Sequence, residues 1–183
     1  MGVAEDPDRA RFDAVLREVV EPVRRYLARR VDAATAADVL SETVLVLWRR
    51  PGEVPEGAEV AWAIGVARLQ LANALRSMRR QERLVARIVA VDPPPEAIPE
   101  PADDGVTAEL VRRALASLRP ADAELLRLSA WDELGVAEIS RVLGISPNAV
   151  SIRLHRAKRK LGDRIRKLSD RPGHAGVREG GRA

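Results

Sequence analysis

The chain has no cysteine among its 183 residues. That excludes disulfides, thiolate metal sites and a cysteine nucleophile, and it suits a reducing cytoplasm. Aromatic residues make up 3% of the chain, too few to build base-stacking platforms of the single-strand-binding kind. The two histidines are His155 and His174, and neither has the company that a metal site or histidine-based catalysis requires. No apolar run approaches the roughly 20 residues of a membrane span. The opening MGVAEDPDRARF is too acidic and polar for a signal peptide. No residue pattern sets a nucleophile beside a base. The expectation is a protein without catalytic activity, cofactor, metal, membrane insertion or small-molecule substrate.

What is present is charge, unevenly distributed. The net charge is +4, with only three lysines among the 31 basic residues. Residues 1–91 carry a net +2, residues 92–108 carry five acids and no base, and residues 109–183 carry a net +7. A basic C-terminal part behind an acidic spacer concentrates the polyanion-binding surface at one end. The spacer, DPPPEAIPEPADDG over Asp92 to Gly105, holds five prolines and no helical period, the composition of a semi-rigid linker.

No strand pattern and no internal repeat is visible. Before the linker, apolar spacing predicts a helix from Arg9 to Val31, which Pro22 kinks or divides. A second helix runs from about Ala36 to Arg50 with Thr35 as N-cap, and Pro51-Gly52 stops it. A third runs from about Val60 to Val91. After the linker, Val106 to Leu118 and Pro120 to Ala130 read as helices. The fold class is therefore all-α, in two small helical domains over 9–91 and 106–168, joined by the 92–105 linker. A Gly- and Arg-rich tail over 169–183 has the composition of a disordered end.

The segment VAEISRVLGISPNAVSIRLHRAKRK, Val136 to Lys160, is the most informative in the chain. It reads as a short helix, a turn at Gly144, and a second helix opened by Ser146 as N-cap and Pro147 at its first position. Val150, Leu154, Ala157 and Leu161 fall on one face at steps of four, three and four, a core-facing stripe. Ser151, Arg153, His155, Arg156, Lys158 and Arg159 fall on the other. A helix apolar on one side and basic on the other, entered through a glycine turn, matches the recognition helix of a helix-turn-helix. The plain alternative is a basic surface helix of an all-α core.

Three segments in order resemble a bacterial RNA polymerase sigma factor of the extracytoplasmic-function (ECF) group. They are ADVLSETVLVLW (Ala37 to Trp48), AWAIGVARLQLANALRSMRR (Ala61 to Arg80), and Ala114 to Leu161, which begins ALASLRPADAELLRL and ends in the helix-turn-helix. The resemblance covers about residues 10–167. It implies binding to core RNA polymerase through its β-type subunit, with Asp38, Glu42 and Arg49 as polar contacts and Leu45 and Trp48 largely in the core. It implies recognition of the minus-10 promoter element by Arg76, Arg79 and Arg80 on the backbone and Asn73 at a base edge, the loop Gly52 to Glu59 helping to form the pocket. That loop carries three acids and no aromatic or basic residue.

For the minus-35 element the resemblance points to Asn148, Ser151, Ile152, His155, Arg156 and Arg159 in the major groove, with Arg153, Lys158, Arg159 and Lys160 on phosphates. An anti-sigma protein is the expected regulator. The acidic linker is either a polyanion mimic in the polymerase cleft or a passive spacer. A stand-alone helix-turn-helix regulator on operator DNA, or an interaction module that binds no DNA, would need neither the ADVLSETVLVLW helix nor the Trp-led arginine helix, and those two segments separate the readings.

Overall fold

The computed structural model describes residues 7–88 and 105–170; the expectations for the linker and the tail lie outside the described residues, apart from their outermost positions. Seven α-helices and one short 3-10 turn make up the described chain, with no strand among those residues. Helix α1 spans Pro7–Ala28 and runs through Pro22 without a break. Val19, Val23, Tyr26 and Leu27 are buried on both sides of the proline, so tertiary packing outweighs the local cost of one missing N–H. The helix ends at Ala28, short of Val31. There Arg30 and Val31 turn their N–H groups onto the Leu27 carbonyl at 2.9 and 3.1 Å.

Helix α2 spans Ala33–Arg49. Its N-cap is Asp32, where the sequence suggested Thr35. The Asp32 carboxylate accepts from the Thr35 N–H at 3.0 Å and from the Thr35 hydroxyl at 2.7 Å, so the threonine serves inside the first turn as the partner of the true cap. Those two hydrogen bonds, the backbone one first, hold the exposed Asp32 carboxyl below its usual range. After a 3-10 turn over Pro51–Glu53, helix α3 covers Glu59–Ile88. Its buried face is built from Ala61, Ala63, Ile64, Ala67 and Leu71. Larger apolar residues of the same helix stay outside: Leu69 is 60% exposed and Met78 is 42% exposed. Small side chains let α3 approach its neighbours closely, and α1, α2 and α3 pack against one another pairwise.

The second group is α4 (Gly105–Ala116), α5 (Pro120–Ala130), α6 (Val136–Leu143) and α7 (Pro147–Ser169). Helix α7 packs against the other three. Leu115, Leu125, Leu126, Leu128, Ile139, Val142, Val150, Leu154 and Ala157 are buried there. The tight turn between α6 and α7 depends on Gly144, whose φ of 65° lies in the left-handed region. Ser140 then fastens the turn, its hydroxyl donating to the Ile145 carbonyl at 2.6 Å. The two groups share one continuous hydrophobic core, because α6 also packs on α3.

Candidate nucleic-acid interface

The basic face of α7 follows directly from how its other face is buried. Val150, Leu154 and Ala157 are 0–9% exposed, and Leu161 is half-buried. That seam fixes the helix rotation and turns Asn148, Ser151, Ile152, Arg153, His155, Arg156, Lys158 and Arg159 outward, all exposed. The N-terminus is capped as expected, the Ser146 hydroxyl accepting from the Ala149 N–H at 3.3 Å. Arg153, Arg156, Lys158 and Arg159 have no ion-pair partner among the described residues. Their charge is therefore open to an external anion, and the dipole of the α7 N-terminus adds to it. Ile152, 44% exposed, is an apolar point on this charged face, suited to contact with a thymine methyl group. Lys160 differs from its neighbours: its ammonium is held 2.7 Å from the Asp122 carboxylate of α5, which ties it to the scaffold.

The arginines of α3 are arranged differently. Asn73, Arg76, Arg79 and Arg80 are all exposed on the half of α3 that projects beyond its buried stretch. Arg76 donates to the Asn73 side-chain oxygen at 2.5 Å and to the Ala72 carbonyl at 3.2 Å. The asparagine thus spends its acceptor internally and keeps its amide donors pointing outward for other partners.

On α2, Asp38, Glu42 and Arg49 are exposed, and spacings of four and seven residues put them on one stripe with Leu45. The buried stripe is Val39, Thr43 and Leu47, Thr43 satisfying its hydroxyl on the Val39 carbonyl at 2.7 Å. Leu45 is therefore 43% and Trp48 53% exposed, so both belong to the outer surface, contrary to the expectation that they are core. Trp48 is steadied by an edge-to-face contact with Phe12, ring centroids 4.9 Å apart. An apolar patch flanked by two carboxylates and an arginine has the composition of a protein-binding surface.

Sequence reasoning missed Arg11. From α1 its guanidinium donates to the carbonyls of Pro51 at 3.3 Å and Val54 at 2.8 Å, and it pairs with Glu56 at 3.4 Å. It thereby anchors the loop between α2 and α3, where Val54 and Ala58 are also buried. The partners lie 40–45 residues away, so nothing local marks Arg11 as different from other helix arginines. Among the described residues no cluster of His, Asp or Glu is placed to hold a metal ion, and no helix is long and apolar enough to cross a membrane.

Comparison with known proteins bears on the chain as a whole. Residues 108–161 match the family model "Sigma-70, region 4". The chain is 31% identical over 159 residues to the RNA polymerase sigma factor CarQ of Myxococcus xanthus, covering 86% of this chain and 90% of that protein. It is likewise 31% identical over 140 residues to the ECF RNA polymerase sigma factor SigL of Mycobacterium tuberculosis, covering 75% and 78%. Among solved structures, the sigma factor RpoE in complex with the anti-sigma factor NepR from Bartonella quintana superposes with a TM-score of 0.60 at 18% identity, over 85% of this chain and 96% of that one. CnrH in complex with the cytosolic domain of CnrY gives a TM-score of 0.55 at 19% identity, over 87% and 88%.

Proposed function

Since this chain belongs to the ECF group of RNA polymerase sigma factors, the promoter-specific initiation factors of transcription, we propose a division of its surface into three contacts. The outer stripe of α2, with Asp38, Glu42 and Arg49 around Leu45 and Trp48, meets core RNA polymerase. The projecting half of α3, with Asn73, Arg76, Arg79 and Arg80, meets the minus-10 element. The outer face of α7 reads the minus-35 element in the major groove. The units doing this are the two domains over 9–91 and 106–168.

The observation that carries this reading is the contrast on α7: one face is packed into the core, and the other presents a run of cations with no ion-pair partner among the described residues. Such a face binds DNA through phosphate neutralisation and counterion release, and Arg156 at its centre is placed for a bidentate contact with guanine. The protein acts in the cytoplasm as a specificity subunit and carries out no reaction of its own. An anti-sigma protein is the regulator that fits it, as RpoE is seen with the anti-sigma factor NepR.

The test is a pull-down with core polymerase followed by run-off transcription on a promoter library. Arg156→Ala is expected to lower initiation at promoters dependent on the minus-35 element, by the roughly 1–3 kcal/mol of one bidentate base contact, with core binding intact. The double change Asp38→Ala with Glu42→Ala does the converse. Failure to bind core, or loss of core binding in Arg156→Ala, refutes the assignment.

A further inference from the structure

Among the large apolar side chains of the described residues, Leu69 of α3 is the most open, 60% exposed. A leucine alone on a surface carries no meaning; the position of this one does. Ala61, Ala63, Ile64, Ala67 and Leu71 bury the other side of α3, and Leu69 stands about 200° around the helix from Leu71. Steps of four, seven and eleven residues carry its line through Asn73, Arg76 and Arg80, all exposed. The proposed promoter contact employs those three polar residues and no apolar one.

The polar neighbour of Leu69 is already constrained. Arg76 donates to the Asn73 side-chain oxygen at 2.5 Å and to the Ala72 carbonyl at 3.2 Å. A guanidinium offers donors only, so the oxygen of the Asn73 amide is the atom that must face it. What the amide offers outward is its NH2 group. Helical side chains lean toward the N-terminus, which sets Asn73 over the turn that carries Leu69, their Cβ atoms about 6 Å apart.

A donor beside an apolar group is a pattern that one base matches. In the major groove thymine presents its O4 acceptor next to its 5-methyl group. Adenine asks for a donor and an acceptor from the same amide, and the Asn73 acceptor is taken. Cytosine sets its amino donor against the NH2. Guanine accepts from the NH2 but has no apolar group for Leu69 to cover.

We propose that Leu69 and Asn73 together read a thymine in the minus-10 element, Leu69 covering the 5-methyl group and Asn73 donating to O4. This rests on the promoter-reading assignment and adds a base identity to it. Arg76 then acts on specificity as well as on the DNA backbone, because by occupying the Asn73 oxygen it excludes adenine. The outer face of α7, where exposed Ile152 stands among cations, repeats the combination of an apolar point with polar neighbours.

The test uses the full chain bound to core polymerase, on the promoter most strongly initiated in the run-off library. Each minus-10 thymine is replaced singly by deoxyuridine, which removes one methyl group and keeps O4 and the base pairing. At one position the native protein should lose about fourfold in affinity, the factor for burying one methyl-sized group. Leu69→Ala should bind the thymine and uracil forms equally, with an unchanged urea midpoint because the side chain is exposed. Leu69→Met, which restores apolar bulk, should recover most of the discrimination. Arg76→Ala releases the Asn73 oxygen, so the ratio of adenine to thymine binding at that position should rise by roughly threefold or more, whatever the general loss of affinity. No sensitivity to the methyl group at any minus-10 thymine, or the same sensitivity in Leu69→Ala, overturns the thymine contact alone. If the library yields no promoter, the promoter-reading assignment falls and the thymine contact falls with it.

Discussion

The two proposed DNA-reading surfaces are built on opposite plans. On α7 a single helix supplies everything: its cap, its buried seam and its outward cations all lie between Ser146 and Leu161. The N-terminal surface is assembled from three segments. Arg11 of α1 and the loop over 51–58 come together only in the folded protein, and that loop leads into the helix whose far end carries the arginines. The first plan needs a neighbour only to bury the seam against. The second needs the packing of α1 and α3 to be correct before any contact is in place. A change to the α7 seam should therefore be severe and local, while a change to the N-terminal assembly should be mild and show up as altered base preference.

The largest effect tests the first half of that contrast. Ala157 is fully buried between α7 and its neighbours. Ala157→Glu puts an unpaired carboxylate in that seam, at a cost of about 4 kcal/mol or more. A helical group of this size has little stability beyond that to lose. Expected in urea unfolding followed by circular dichroism is early loss of the α4–α7 signal, with binding to a minus-35 duplex abolished and the α1–α3 signal persisting to higher denaturant. A single transition at the lowered midpoint would break the comparison, since it would mean that the shared contact of α3 with α6 makes the two groups one cooperative unit.

The same contrast explains which features were legible in the sequence. The helix-turn-helix was, because its signals are local: Ser146 before Pro147, Gly144 between helices, and apolar residues at steps of four and three. Helix α5 was read with its observed bounds, Pro120–Ala130, for the same reason. The N-terminal helices were legible as helices and misread in detail. Trp48 and Leu45 looked like core by residue type, yet the α2 rotation is set by Val39, Thr43 and Leu47, and a buried threonine gives no signal of burial in a sequence. The α3 core is hard to read from sequence, because the alanines at its close helix–helix contacts carry little hydropathy signal. The Arg11 anchor and the pairing of Arg30 with Glu124 and Asp132 were invisible, since those partners are 40 to 102 residues away and each arginine resembles any other on an amphipathic helix.

A smaller effect sharpens the N-terminal half of the comparison. Arg11→Ala removes two backbone contacts and one exposed ion pair from the 51–58 loop. With the guanidinium partly exposed, the loss is about 1 kcal/mol, too little to unfold α1–α3. Expected is a fall of roughly fivefold in run-off transcription from the preferred minus-10 sequence, with weaker discrimination among minus-10 variants and unchanged affinity for a minus-35 duplex. Arg11→Lys should not restore discrimination, because one ammonium cannot bridge carbonyls three residues apart as a planar guanidinium does. Equal losses at every minus-10 variant would show that Arg11 supports the fold without shaping the loop.

The smallest effect separates the fold of α7 from its use. Ser146→Ala removes a solvent-exposed cap at a helix that keeps Pro147 and the Gly144 turn, so it should cost at most about 1 kcal/mol. Ser146→Asp restores the acceptor and adds a negative charge favourable to the helix dipole, so stability in urea should match or exceed that of the native chain. At the same place, however, that carboxylate faces the phosphates α7 is meant to approach. Affinity for the minus-35 duplex should therefore fall while the helix is stabilised, and fall most at low salt, where the Coulomb term is least screened. The opposed signs are the point of the pair. If the N-terminus of α7 merely supports a basic surface helix, stability and DNA affinity move together in both variants. If it leads into the major groove, they part in Ser146→Asp alone.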